Sequence, residues 1–105
     1  MSKQIEYRAD ILTALGQPSR LKIIEYLRDG DHCACEIVAA IGEEQSSICC
    51  HLNQMLASGL LSRSIDRLKI TYAIKHPQVL GIADLVTEVM NRELGNPKIL
   101  AENVQ

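Results

Sequence analysis

The stretch DHCACEIVAAIGEEQSSICCHLNQMLASG, residues 31–59, decides the fold of this chain. Apolar residues recur at helical spacing on both sides of Gly42, and a glycine is suited to end one helix and permit a sharp turn. The second helix carries Ile48, Leu52 and Met55 on one face. This pattern predicts a helix-turn-helix, whose second helix would lie in the DNA major groove. Two helices that merely pack in a core are the alternative.

The other face of the second helix carries short, mostly polar side chains, which suit contact with base edges. We predict DNA contacts from Gln45, Ser46, Ser47, Cys49, Cys50, His51 and Asn53. Alternating residues in 68–74 predict a half-buried strand, with 61–65 as its partner and a turn near Asp66 and Arg67. Such a hairpin would act as a wing that places Arg63, Arg67 and Lys69 near phosphates.

Helical patterns flank this centre on both sides. Residues 4–15 predict an amphipathic helix, Pro18 suits the first turn of a second helix, and Asp31 is a plausible N-cap for the third. Residues 79–89 carry the apolar face of a last helix. We therefore predict a mainly α winged helix-turn-helix with a small β-hairpin, in the order α-α-α-α-β-β-α. One domain would cover residues 1–95, with a tail over 96–105.

Composition limits the classes of protein that fit. The chain has 105 residues, which is one domain by size, and its three Tyr without Phe or Trp indicate an aliphatic, helical core. No apolar run approaches about 20 residues and no secretory segment begins the chain, so we expect a cytoplasmic protein without a membrane partner. Its cysteines would then be reduced thiols. The net charge of −2 argues mildly against DNA, but the basic residues cluster between 63 and 75.

Four segments carry a resemblance to a known family. They are LTALGQPSRLKIIEYL, CACEIVAAIG, QSSICCHLNQMLASGLL and KITYAI. Over roughly residues 8–94 the chain resembles the ArsR/SmtB family of winged-helix metalloregulators. The resemblance implies a homodimer that pairs its first and last helices. It also implies repression of an operon through operator DNA, which ligand binding releases.

Two positions depart from the family pattern. Cys49-Cys50 stands where the family often has Ser-Arg, which removes an expected DNA-contacting arginine. Glu44 stands where the family has Ser. A carboxylate suits a helix N-terminus but repels phosphates, so the operator or the affinity is expected to be unusual.

All four cysteines lie in the central stretch. Cys33-Ala34-Cys35 resembles the Cys-x-Cys of the arsenic- and cadmium-sensing members, and thiolates there would bind As(III), Sb(III), Cd(II), Pb(II) or Zn(II). In a regular helix the two thiols would point about 200° apart, so a shared ion requires a distorted helix start. A helix N-terminus would lower their pKa. The usual third thiol is replaced by Val38. Either two thiolates bind arsenite more weakly with a non-sulfur third ligand, or Cys49 or Cys50, in the same or another subunit, supplies the third thiol.

These observations leave three hypotheses. The first is a repressor released from DNA by As(III) or another soft metal at Cys33 and Cys35, with no cofactor needed for folding. The second is a thiol-based redox or persulfide sensor on the same fold. The third is a helical dimer for protein interaction without specific DNA binding. We expect no enzyme, because the sequence holds no Ser-His-Asp order, phosphate loop or paired catalytic carboxylates.

Overall fold

The computed structural model describes residues 2–95, which form five α-helices and a three-stranded sheet. In chain order they are α1 (Ser2–Leu15), α2 (Pro18–Tyr26), a 3₁₀ turn (Leu27–Asp29), β1 (His32–Cys33), α3 (Ala34–Ile41), α4 (Gln45–Ala57), β2 (Leu61–Asp66), β3 (Lys69–Ile74) and α5 (Gln78–Leu94). The predicted fold class is confirmed, with one element added to the predicted order. The expected tail, residues 96–105, lies outside the described part of the chain.

The added element is β1, and it corrects the predicted start of α3. β1 pairs antiparallel with β3, with His32 opposite Tyr72 and Cys33 opposite Thr71. This ladder holds Cys33 extended, at φ −79° and ψ 163°, so that Cys33 is the N-cap of α3. The prediction of Asp31 as the N-cap is therefore wrong. A two-residue strand shifted the helix start by pairing with a distant segment.

The aliphatic core joins α2, α3, α4 and the base of the hairpin. Side chains less than 2% exposed are Ile23, Ile24, Ile37, Ile48, Leu52, Met55, Leu60 and Leu61. Ile48, Leu52 and Met55 are the apolar positions predicted for α4. Burying each such side chain is worth about 1.5–3 kcal/mol, so this stripe fixes α4 on the body and turns its polar face outward.

The turn between α3 and α4 depends on Gly42. Gly42 adopts the left-handed conformation at φ 76°, and its N–H donates to the carbonyl of Val38 at 2.9 Å. An L side chain is strained there, even though no heavy atom would lie within 4 Å of an added Cβ.

Gly42→Ala is expected to lower the free energy of unfolding by about 1 kcal/mol, because alanine disfavours positive φ. Gly81→Ala is the matched control. Gly81 lies within α5, where an added Cβ would also meet open space, and alanine should stabilise the helix there by about 0.5–1 kcal/mol. Urea unfolding of both variants measures the difference. Equal effects at the two positions would contradict the strain argument.

The hairpin is half-buried only at its base. Tyr72 is buried, but at the tip Ile65 is 65% exposed, Ile70 41% and Leu68 101%. Leu68 therefore belongs to the two-residue turn with Arg67 rather than to the strand predicted over 68–74, and Arg67 takes a positive φ of 59°. An isolated hairpin end has no core to pack on, so its apolar alternation produces exposed side chains.

The amphipathic faces of α1 and α5 are largely uncovered within one protomer. Exposed apolar side chains on them are Ile5, Ile11, Leu12, Leu85, Val86, Val89 and Met90. Among the described residues, none of the helices has both the length and the apolar character to cross a bilayer.

Candidate DNA interface and thiol site

The outer face of α4 is the candidate reading surface. Gln45, Ser46, Ser47, Cys50 and Asn53 are exposed, as predicted for residues that would meet base edges. The other two predicted contacts differ, since Cys49 and His51 are half-buried. Their positions follow from the helical period, which turns them partly towards the body of the protein.

His51 is occupied by an internal partner that the sequence did not reveal. Arg20, only 5% exposed, donates from Nε to His51 Nδ1 at 3.0 Å. Its other nitrogens donate to the carbonyl of Ala14 at 3.1 Å and to Gln54 Oε1. Arg20 thus joins the end of α1 to the inner side of α4. This hydrogen bond gives His51 a structural role, and its predicted DNA contact stays a prediction.

The same network reaches the outer face of α4. Gln54 accepts from Arg20 and donates from Nε2 to Cys50 Sγ at 3.6 Å. Gln54 is exposed and links Arg20 to Cys50, a link that its i+4 spacing from Cys50 could have indicated from the sequence.

The basic residues of the wing, for which phosphate contacts are predicted, are exposed. Arg63 and Arg67 lie on β2 and the turn, and Lys69 starts β3 opposite Asp66. The acidic residues near α4 are partly engaged: Glu43 accepts a hydrogen bond from the Ser19 hydroxyl at 2.6 Å. The positive wing therefore flanks a reading face that carries little charge of its own.

Cys33 and Cys35 form a close thiol pair, with 2.8 Å between the two Sγ atoms. Cys33 precedes the first helical residue, so the distortion that a shared ion requires is present. Glu36 closes a capping box: its Oε1 accepts from the Cys33 N–H at 3.0 Å, and its own N–H donates to the Cys33 sulfur. These contacts hold the two thiols on one side of the helix start.

The pair shifts the pKa of Cys33 upwards. The hydrogen bond with the Cys35 thiol raises the pKa of Cys33, and the Glu36 N–H offsets this only in part. The expected lowering of pKa at the helix N-terminus is thus wrong for Cys33. The N–H of Cys33 lowers the pKa of the Glu36 carboxyl, which accordingly stays ionised at neutral pH. A soft metal must displace thiol protons here, so its affinity rises with pH.

The thiol pair opens into a cleft of about 890 Å³. One wall is the start of α3 and of α4, including Gln45, and the other is the wing tip, including Arg67 and Lys69. The β1–β3 ladder ties Cys33 to Thr71, two residues along β3 from Lys69. A ligand on the thiols would therefore touch both predicted DNA-contacting elements.

A third protein ligand is not assembled beside the pair. Across residues 2–95, three or more His, Cys, Asp or Glu side chains nowhere form a group that could hold a metal ion. His32 lies near but faces other partners, since its ring stacks on Tyr26 with centroids 4.2 Å apart and its Nδ1 lies 3.5 Å from Glu36 Oε2. Within the described protomer the donor set is thus two thiols.

The known proteins that are similar to this chain are transcriptional regulators. The family model described as bacterial regulatory protein, arsR family, matches residues 17–63. A probable mercury resistance operon repressor of Streptomyces lividans is 32% identical over 78 residues, which is 74% of this chain and 60% of that protein. The chain therefore spans less than two thirds of the length of that relative. An uncharacterized HTH-type transcriptional regulator of Methanocaldococcus jannaschii is 31% identical over 88 residues, 83% of this chain and 99% of that one.

Solved structures share the fold. NolR from Sinorhizobium fredii superposes with a TM-score of 0.77 at 26% identity, over 84% of this chain and 88% of that chain. The transcriptional repressor PagR of Bacillus anthracis gives a TM-score of 0.72 at 30% identity, over 82% of this chain and 99% of that chain.

Proposed function

The chain belongs to the ArsR family of DNA-binding transcriptional repressors, which are not enzymes, and from that premise we propose its inducer and mechanism. The protein binds operator DNA as a homodimer in the cytoplasm. As(III) or another soft metal ion releases it by binding the thiolates of Cys33 and Cys35. The observation that carries this proposal is the position of the thiol pair in a cleft between α4 and the wing tip.

Operator recognition uses α4 and the wing together. The exposed polar face of α4 would enter the major groove, with Ser46, Ser47 and Asn53 on base edges. The basic residues of the wing would hold phosphates beside it and fix the register of α4. Cys50 takes the place of the usual arginine, so α4 would contact the bases with one positive charge fewer.

The homodimer would form through α1 and α5. Their uncovered apolar side chains make a patch of the kind that marks protein interfaces. A cavity of about 310 Å³ beside them is lined by Ile11 of α1, by Val79 and Ile82 of α5 and by the turn at residues 58–60, and would receive a partner's side chains. Two copies would then place two α4 helices for two half-sites.

The spacing of the thiols favours some metals over others. With metal–sulfur bonds of about 2.3 Å, two thiolates on a pyramidal centre lie roughly 3.4 Å apart, on a tetrahedral centre roughly 3.8 Å, and on a linear centre roughly 4.6 Å. From a separation of 2.8 Å, the smallest opening is the one for a pyramidal ion such as As(III) or Sb(III). A linear ion such as Hg(II) would have to separate the thiols by nearly 2 Å, which is the largest opening of the three.

DNA release would follow from the changes that metal binding causes at the start of α3 and in β3. Metal binding draws both sulfurs onto one centre and removes the Cys33 sulfur from the Glu36 N–H. That changes the start of α3, which packs on α4, and pulls on β3 through Thr71. Cys49 or Cys50 of a partner protomer stays a candidate for the third ligand.

The phosphate role of the wing can be tested by salt dependence. Arg67→Ala and Lys69→Ala are each expected to reduce the slope of log K against log[salt] by about 1, because each releases about one counterion fewer. The control is Lys22→Ala on α2, away from α4 and the wing, whose slope should equal that of the parent protein. Fluorescence anisotropy on a fragment of the protein's own promoter measures all three, and an unchanged slope for both wing variants would remove the wing from the interface.

A redox sensor is the second candidate function, favoured by the closeness of the two sulfurs. Two thiols would give a disulfide and two protons, while hydrogen peroxide takes the two electrons and becomes two waters.

A promoter gel shift separates the candidates. The metal proposal expects arsenite to remove the band under reducing conditions, whereas loss of the band with peroxide alone supports the redox sensor. The gel shift is also run at low salt. If no promoter fragment gives a band there, a dimer for protein interaction explains the protein's function better than a repressor does.

A further inference from the structure

Leu68, at the tip of the wing, is left uncovered by the protomer. Its side chain is 101% exposed, the highest value among the large apolar residues that the structure describes. The alternation of the strands accounts for Ile65 and Ile70, which pair across β2 and β3, but Leu68 lies in the two-residue turn between them. Such turns favour glycine, asparagine or aspartate, which adopt left-handed conformations easily. A leucine here serves neither the turn nor the core, so it is available to a partner.

The charges around Leu68 favour a negatively charged partner. Leu68 lies between Arg67 and Lys69 in the chain, and Arg63 is exposed on β2. Asp66, opposite Lys69 in the ladder, offsets one of these three positive charges. Arg67 has a positive φ of 59°, at which a glycine would be unstrained, so the tip keeps a basic side chain in spite of its backbone strain. An apolar tip with an excess of positive charge fits nucleic acid better than a second copy of the same wing.

The wing tip lies close to the helix that would read the operator. One cleft is lined by Gln45, at the start of α4, and by residues 66–70 of the tip. With α4 in the major groove, the tip would reach across the adjacent phosphates to the neighbouring minor groove. That groove is about 6 Å wide, too narrow for a helix but wide enough for a side chain that projects from a turn.

We propose that Leu68 inserts between base pairs in the minor groove and bends the operator, an inference that rests on the operator binding proposed above. Leucine is one of the apolar wedges by which proteins unstack a base step and kink DNA by about 20–90°. A wedge needs a projecting apolar side chain, and flanking cations hold it at the groove. Both are present in Arg67-Leu68-Lys69. The two wings of a homodimer would bend the operator at two places, one beside each half-site.

The wedge would add sequence selectivity that hydrogen bonds do not supply. Pyrimidine–purine steps such as TA and CA/TG unstack most easily, so Leu68 would favour operators with such a step in the minor groove beside each half-site. This kind of readout needs no charged side chain. It would therefore complement the base contacts of α4, where Cys50 replaces the usual arginine.

Permanganate footprinting and DNA bending test the wedge on a fragment of the protein's own promoter. Permanganate oxidises thymines that have lost their stacking, and the gel mobility of circularly permuted fragments measures the bend. We expect the parent complex to show reactive thymines beside each half-site and a bend of at least roughly 20°. Leu68→Ser is expected to lose both signals. Its affinity should fall only severalfold, because the cost of unstacking is removed together with the contact.

Two variants separate insertion from general effects on the wing. Leu68→Met keeps an apolar side chain that can also act as a wedge, so its complex should retain the reactive thymines and the bend. Ile65→Ser is the matched control, because Ile65 is 65% exposed on the same hairpin but lies on β2 rather than at the tip. Its complex should stay bent as well. The salt dependence of Leu68→Ser should equal that of the parent protein, since leucine releases no counterion.

The outcomes that would overturn the wedge differ from those that would overturn operator binding. A parent complex that is straight and lacks reactive thymines would remove the wedge and leave the proposed function standing. A Leu68→Ser complex that stays bent would do the same. If that variant also changes the oligomeric state of the free protein in sedimentation, the tip contacts a second copy of the chain and not DNA. Failure of the parent protein to bind any promoter fragment would overturn the proposed function as well.

Discussion

Replacing both Cys33 and Cys35 by serine is expected to abolish release by arsenite while operator affinity stays within about twofold of the parent value. Serine is a strong N-cap, so Ser at position 33 preserves the start of α3. A hydroxyl is a poor ligand for a soft metalloid, so the inducer loses both donors at once. Anisotropy titrations of operator DNA, with and without arsenite, measure both quantities in one sample.

Cys49→Ser is the control for this pair. Cys49 is half-buried and lies outside the cleft, so a response to arsenite like that of the parent would show that the two thiols of Cys33 and Cys35 suffice without a thiol from Cys49. If the double variant binds operator and still responds fully, Cys33 and Cys35 are not the inducer site. If Cys49→Ser alone loses the response, the third ligand comes from α4 of a partner.

Arg20→Met is expected to lower the free energy of unfolding by about 3 kcal/mol and to weaken operator binding. The substitution removes donors to Ala14, His51 and Gln54, and leaves their acceptors without partners in a mostly buried site. In a domain of this size such a loss lowers the melting temperature by roughly 12–24 °C. Thermal unfolding by circular dichroism and anisotropy at a temperature where the variant is folded give the two results.

Two further substitutions separate position from charge. Arg20→Lys keeps the charge but loses the forked geometry that serves three acceptors, so it should recover only part of the stability. Arg28→Met removes an arginine that is bonded to Glu25 and Asp84 at the surface, and should change stability little. Equal losses at Arg20 and Arg28 would contradict the assigned role of Arg20.

Much of this fold could be read from local pattern. The helical period of Ile48, Leu52 and Met55 placed α4, and Gly42 marked the turn before it. The same period also separates the exposed Ser46 and Asn53 from the half-buried Cys49 and His51, a difference that residue polarity alone does not reveal. The wing was found by alternation, although its tip buries nothing.

The missed features all depend on contacts between distant parts of the chain. β1 has two residues, too few to show a period, and exists because β3 pairs with it. In the sequence Arg20 looks like a surface residue of a helix, because its contacts with α4 form only in the folded chain. The thiols of Cys33 and Cys35 were expected to diverge in a regular helix, and they converge because the ladder keeps Cys33 extended.

In the proposed mechanism two thiols bind one soft metalloid, and this event releases DNA. A thiol count on the operator complex during an arsenite titration tests it most directly. Each protomer has four cysteines. We expect the thiols that remain reactive to Ellman's reagent to fall by two per protomer in step with loss of anisotropy, with Cys33→Ser, Cys35→Ser showing neither change. DNA release without any loss of reactive thiols, or loss of two thiols with the DNA still bound, would contradict the account.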